Sequence, residues 1–165
     1  MKKYDVVIGI DPDVDKSGVA FLIVESRVLE VYSLPFADLL DYLREIRDIL
    51  MREGKYFVVV VEAGWLNKAH WHVGKGGSAA RSAAIGNHTG RNHEVGRKIV
   101  EMCRHYGIEV VEQPPLRKMW KGKDGKITHE ELQHFTGITG KTNQETRDAA
   151  LIAWEYAGLP IRIKN

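Results

Sequence analysis

The sequence predicts an α/β fold organised around a sheet of five strands, and three observations carry that prediction. First, two apolar runs, V-V-I-G-I-D at 6–11 and Y-F-V-V-V-V-E at 56–62, have the composition of strands buried on both faces, and each ends abruptly in an acid. Second, the first run is followed at short turn spacing by two more strand-like segments, the pattern of an antiparallel meander. Third, apolar residues recur at helical spacing after Pro35, after about His93 and after Thr142.

Each element has its own signal. Residues 4–11 form the first strand, and Asp13 to Lys16 make a polar turn. Ser17-Gly18 opens the second strand, Val19 to Val24, and a third runs from about Val28 to Ser33. Pro35 breaks the pattern. Phe36, Leu39, Leu40, Leu43, Ile46 and Leu50 then form a helical stripe, with Gly54 just past it as the expected C-cap. The strand from Tyr56 to Val61 leads into Glu62. Residues 63–93 read as irregular, rich in Gly, His and Trp, and a long polar segment between regular elements is usually functional or mobile. A helix is expected from about His93 to His105, turning Val95, Ile99, Met102, Cys103 and Tyr106 inward. Ile108 to Val111 is the fifth strand, ending in Glu112 and stopped by Pro114-Pro115. Thr128-His129-Glu130-Glu131 is a capping-box pattern that starts a short helix ending near Gly137, and the last helix spans Thr142 to Tyr156. No repeat, low-complexity tract or linker interrupts the chain, so 1–165 reads as one domain.

Composition excludes several classes. No apolar run approaches the roughly 20 residues of a membrane helix, so no membrane partner is expected. The N-terminus leads straight into a strand without the apolar region of a signal peptide. Cys103 is the one cysteine, which leaves neither a disulfide framework nor a cysteine zinc cluster. These features lead to the expectation of a cytoplasmic protein. The net charge of +2 says little about partners; its distribution says more.

The acids carry the chemistry. Asp11 and Glu62 end the two buried strands, and in open α/β sheets the ligand site lies beyond the strand ends. Glu145 and Asp148 stand three apart on the last helix, hence on one face. If that helix crosses the sheet near the strand exits, four carboxylates converge, and such a cluster repels itself unless cations sit within it. Hard oxygen ligands suit Mg²⁺, with Mn²⁺ able to substitute. Two such ions roughly 4 Å apart can activate a water and stabilise the leaving oxygen of a phosphodiester. Thr142-Asn143-Gln144-Glu145 is also a capping box, so Glu145 has a second reading as a helix cap. Ala149 and Ala150 after Asp148 permit close packing on the sheet.

From Arg117 to Lys126 the chain holds five basic residues, Arg117, Lys118, Lys121, Lys123 and Lys126, against one acid, with Trp120 among them. That density reads as a phosphate-contacting surface. The histidines His70, His72, His88 and His93 lie in a polar segment and read as solvated rather than as a zinc site. Gly137 to Thr142 imitates a phosphate loop, but Phe135 stands where its first glycine belongs and no strand precedes it.

These motifs together resemble the RuvC-type Holliday-junction resolvases of the RNase H-like superfamily. I-G-I-D-P with Ser17-Gly18 resembles the family's first motif; Val61-Glu62 with an aromatic at Trp65 is similar to the second; Glu145-x-x-Asp148-Ala149-Ala150-Leu151 resembles the last. Their order and spacing agree over nearly the whole chain. The resemblance implies a five-stranded mixed sheet of order 3-2-1-4-5 flanked by helices. It implies a homodimer that cuts four-way DNA junctions by paired nicks, leaving 5′-phosphates, with two Mg²⁺ ions per active site. Asp11 would bridge the ions, and Glu62 and Asp148 would be further ligands. Trp65 would stack on an unpaired base, and Lys118 and Lys126 look like the family's basic residues before the final helices. This chain departs from the pattern at Glu145, where Asp is usual, at Asp13, where Gly is common and a further carboxylate could join the metals, and in the long segment 66–93. Two alternatives share parts of the reading: a RuvC-like nuclease acting on structured RNA, and a non-catalytic binder of branched DNA.

Overall fold

The structure, a computed structural model, describes residues 3–67 and 79–164. Five strands form one mixed sheet: β1 (Val6–Asp11), β2 (Ser17–Ile23), β3 (Val28–Leu34), β4 (Phe57–Glu62) and β5 (Val110–Gln113). Their order across the sheet is β3-β2-β1-β4-β5, as the motif resemblance implies. β1, β2 and β3 pair antiparallel, as their short connecting turns require, and β4 and β5 run parallel to β1. Among the described residues four α-helices flank the sheet: α1 (Phe36–Arg52), α2 (Ala79–His105), α3 (His129–Thr136) and α4 (Gln144–Tyr156). Among the described residues no helix is long and apolar enough to cross a membrane.

The alternation of side chains along the strands divides the core in two. Val6, Ile8 and Ile10 of β1, with Val59 and Val61 of β4, face α1 and α2, meeting Leu39, Leu43, Ile99 and Cys103. Val7 of β1, with Val58 and Val60 of β4, faces α4, whose Ala149 to Trp154 are all buried. Period two then assigns Asp11 and Glu62 to the α4 side, two residues beyond Gly9 and Val60 respectively.

α4 lies unusually close to the sheet, and two glycines make this possible. A β-carbon at Gly9 would overlap the carbonyl oxygen of Ala149 and reach within 3.0 Å of the Ala153 nitrogen. A β-carbon at Gly18 would overlap the Glu145 carbonyl and lie 2.8 Å from the Thr146 nitrogen. The small residues read from the sequence on α4 therefore meet equally small positions on β1 and β2.

Three expectations need correction. α2 begins at Ala79, not near His93, so 79–92 is helical rather than irregular. Ala79, Ala80, Ala83 and Ala84 favour helix, but this half is mostly exposed and has no apolar face to announce it. The apolar period starts only at Val95, which packs on the core, followed by buried Gly96, Ile99, Val100 and Cys103. β5 is displaced to Val110–Gln113, with Ile108 buried just before it. The cap of α4 is Asn143, not Thr142: the Asn143 side chain accepts from the Thr146 N–H, and the Thr146 hydroxyl accepts from the Asn143 N–H. The α3 capping box is present as read, with Thr128 and Glu131 as partners and Gly137 left-handed at the C-cap.

Candidate active site

β1 and β4 deliver two acids side by side. Ile10 pairs with Val61 in parallel register, so the next residue on each strand is a carboxylate, Asp11 and Glu62. Asp11 also pairs across the antiparallel ladder with Gly18, the position against which the first turn of α4 is pressed. α4 thereby brings Asp148 and Glu145 toward the strand ends. Burial comes first among the causes that push the Asp11 carboxyl well above the usual range, followed by the charges of Glu62 and Asp148 and, last, that of Glu145. Glu62 is raised by burial and then by Asp148. The four sequence-predicted acids are thus within one electrostatic field. Asp11, Glu62 and Asp148 line a common cavity of about 300 Å³, and Glu145 is not in its lining.

A lysine enters this field. Lys126 Nζ lies 3.4 Å from Asp148 Oδ2. Burial pulls the ammonium's pKa down, but the attraction of Asp148, Asp11 and Glu62 outweighs it, and the net shift is upward. Lys126 and Lys118 in turn lower Glu62. The other Asp148 oxygen, Oδ1, accepts from Gln144 Nε2 at 2.8 Å, an i,i+4 contact on α4. Gln144 is a positioning residue that sequence reasoning passed over; its spacing to Asp148 was the available signal.

The loop holding Lys126 is anchored rather than loose. Trp120 is 7% exposed and stacks on Phe135 at 5.9 Å, so most of it is core, and the rest lines the cavity beside Arg117, Lys118 and Lys126. Buried Glu131 accepts hydrogen bonds from the backbone N–H of Lys121 and of Thr128. Arg117 and Lys118 line the cavity with Lys126, whereas Lys121 and Lys123 are exposed and do not line it. Trp65 is half-buried, its ring against Gly96, which Pro12 also approaches, with the Arg97 guanidinium 5.6 Å from its ring centre. Asp13 does not join the acids: its Oδ1 accepts from the Asp15 N–H at 2.9 Å and closes the β1–β2 turn. His70, Trp71, His72, Lys68 and Lys75 lie outside the described residues.

Among the described residues no three Asp, Glu, His or Cys side chains close on one point as a ready ligand set. The carboxylates converge in charge, and an ammonium answers that charge. Hard oxygen donors, mutual repulsion in a buried setting and a cation already drawn among them fit a divalent metal ion. Asp11, Glu62 and Asp148 would hold it, with the charge of Glu145 felt at Asp11; such an ion supplies Lewis acidity and a more acidic bound water. Gln144 would hold the Asp148 carboxylate in orientation, and Arg117 and Lys118 add positive charge to the lining of the same cavity.

No family model matches the chain, and no curated protein matches it. Among solved structures it is similar to Thermus thermophilus RuvC in complex with a Holliday junction substrate, at 16% identity over 92% of both chains with a TM-score of 0.48. A second Thermus thermophilus RuvC structure is 18% identical over 93% of this chain and 96% of that one, with a TM-score of 0.46. The Fowlpox virus resolvase, solved with substrate Holliday junction DNA, is 12% identical over 93% and 97%, with a TM-score of 0.45.

Proposed function

We propose that the chain is a metal-dependent endonuclease that cuts branched DNA, resolving four-way junctions as a homodimer by paired nicks that leave 5′-phosphates. One observation carries the reading: two buried parallel strands end in adjacent acids on the face where α4 contributes Asp148, and a cation is drawn into their field. An anionic floor beneath a cationic wall of Arg117, Lys118 and Lys126 suits a phosphodiester held over hard cations. In this reading Mg²⁺, two ions per site, is held by Asp11, Glu62 and Asp148, with Glu145 as a further ligand. The site is cytoplasmic in this reading.

The test is cleavage of a labelled four-way DNA junction beside linear duplex and RNA hairpin controls, with Mg²⁺, Mn²⁺ or chelator. Symmetrical nicks on the junction, absent in chelator and absent for Asp11→Asn while that variant still binds, are expected. Cutting of the RNA control alone would keep the acid site and replace the substrate. Junction binding with no cutting in either metal would replace the enzyme with a binding protein.

A further inference from the structure

The Asp148 carboxylate is held at both oxygens. Oδ1 accepts from Gln144 Nε2 at 2.8 Å, and Oδ2 lies 3.4 Å from Lys126 Nζ. One side chain reaches the supports of both. The Arg147 guanidinium donates from Nη2 to Gln144 Oε1 at 3.1 Å and from Nε to the Ile127 carbonyl at 3.0 Å. Ile127 is the residue after Lys126, and its carbonyl also accepts from Gln144 Nε2 at 3.3 Å. Nη1 completes the set on Thr142, 3.1 Å from the hydroxyl and 3.4 Å from the carbonyl. The same hydroxyl stands 2.8 Å from Nδ1 of His129, the first residue of α3.

The chemistry of these bonds fixes the direction of the amide. A guanidinium has donors only, so the Gln144 atom that faces it is the oxygen. The Gln144 NH₂ then faces the other way, toward Asp148 and Ile127. Without the guanidinium, Gln144 keeps only the bonds it donates, and its side-chain torsions are freer to carry the amide off the carboxylate. None of the four Arg147 bonds ends on a carboxylate; all go to neutral oxygens. Arg147 is also the fourth residue of α4, where a positive charge opposes the helix dipole. Neither ion pairing nor helix stability accounts for an arginine here. A rigid planar fork that meets Gln144 and Ile127 at once does.

We infer that Arg147 is a positioning residue of the acid site, orienting the Asp148 carboxylate through the Gln144 amide and tying the Lys126 loop to α4 through the Ile127 carbonyl. Its effect on cutting rests on the nuclease reading. A carboxylate already turned to the angle an ion requires binds that ion without being reordered, and outer partners of this kind are worth about 10–100-fold in affinity or activity.

The wild type, Arg147→Lys, Gln144→Leu and the double variant test it on the junction. Arg147→Lys keeps the charge but cannot meet Gln144 and Ile127 together. It is expected to lose about 10–100-fold in kcat, as is Gln144→Leu, with junction affinity in chelator unchanged. The double variant should fall well short of the product of the two losses, because both act on one carboxylate. A further readout needs neither metal nor turnover. In chelator the wild-type Gln144 side-chain amide protons should resonate away from the positions of a solvated glutamine, and Arg147→Lys should return them toward those positions. Wild-type cutting by Arg147→Lys overturns the inference, as do losses that multiply in the double variant. So does a fall in junction affinity equal to the fall in cutting, which would make Arg147 part of the general scaffold. A wild-type Gln144 amide already at solvated positions overturns it without any variant. A wild type that cuts nothing defeats the nuclease reading instead, and the amide resonances then decide the positioning role alone: moved in Arg147→Lys they sustain it, unmoved they defeat it.

Discussion

Adding one methyl group at Gly9 should dislodge the helix that carries half of the acid site. The new β-carbon would overlap the Ala149 carbonyl oxygen and press on Ala153 at 3.0 Å to nitrogen and 3.1 Å to Cβ. A comfortable carbon–oxygen contact is near 3.4 Å, so α4 must retreat by about 1 Å. Neither partner is a flexible side-chain end; one is sheet backbone and the other helix backbone. Overpacking of this kind costs about 1–3 kcal/mol, which for a domain of this size lowers the melting temperature by roughly 3–10 °C. Asp148 precedes Ala149 and moves with it, away from Asp11 and Glu62. A 1 Å misplacement of a catalytic group costs about a hundredfold in rate. Thermal melting by circular dichroism reads the first effect, and junction cleavage at saturating Mg²⁺ reads the second. A Gly9→Ala protein with wild-type melting and wild-type cleavage would refute the claim that this contact positions the site.

Three further outcomes follow from the same structure. Asp11 and Glu62 are raised in the folded state, so the folded protein holds their protons more tightly than the unfolded chain does; stability is full below the ordinary carboxylate range of about 4 and falls as pH rises through the raised values. In chelator the wild type should therefore melt lower at pH 7 than at pH 5, and Asp11→Asn should flatten that slope and melt higher at pH 7; a flat wild-type profile would contradict it. Glu131→Ala strips the acceptor from the Lys121 and Thr128 N–H groups and should cost about 2 kcal/mol in urea unfolding, with Glu131→Gln costing less. Gly86→Ala, in the exposed half of α2 with nothing within 4 Å of the added carbon, should instead gain about 0.5–1 kcal/mol; destabilisation there would mean that this half of the helix packs on something.

The strands were readable because burial on two faces leaves an unmistakable apolar run, and a carboxylate closing such a run is conspicuous. The same logic made Asp11 and Glu62 visible without any tertiary information. Asp148 could be paired with Glu145 by helical spacing, but the cap could not be assigned: Thr142 with Glu145 and Asn143 with Thr146 both satisfy the pattern one residue apart, and only backbone geometry separates them. The first half of α2 was hidden for the opposite reason. Its helix buries nothing among the described residues, and periodicity records burial rather than helicity. The basic segment was seen as a surface because sequence counts charges along the chain. Its division, with Lys126 among the acids, Trp120 in the core and Lys121 and Lys123 outside, depends on the folding of the loop against Glu131 and Phe135.

Lys126 gives the fold a counterion that travels with the chain. Because the ammonium is tethered through an anchored loop, its local concentration among Asp11, Glu62 and Asp148 does not depend on the surrounding salt. The acids can therefore be brought together as the sheet and α4 assemble, before any ion from solution arrives. In the proposed nuclease, loading becomes an exchange of one cation for another rather than the neutralisation of a bare anionic cluster. Its apparent affinity is then set by a difference, and shortening the lysine arm would tighten ion binding while making the ion-free protein harder to fold.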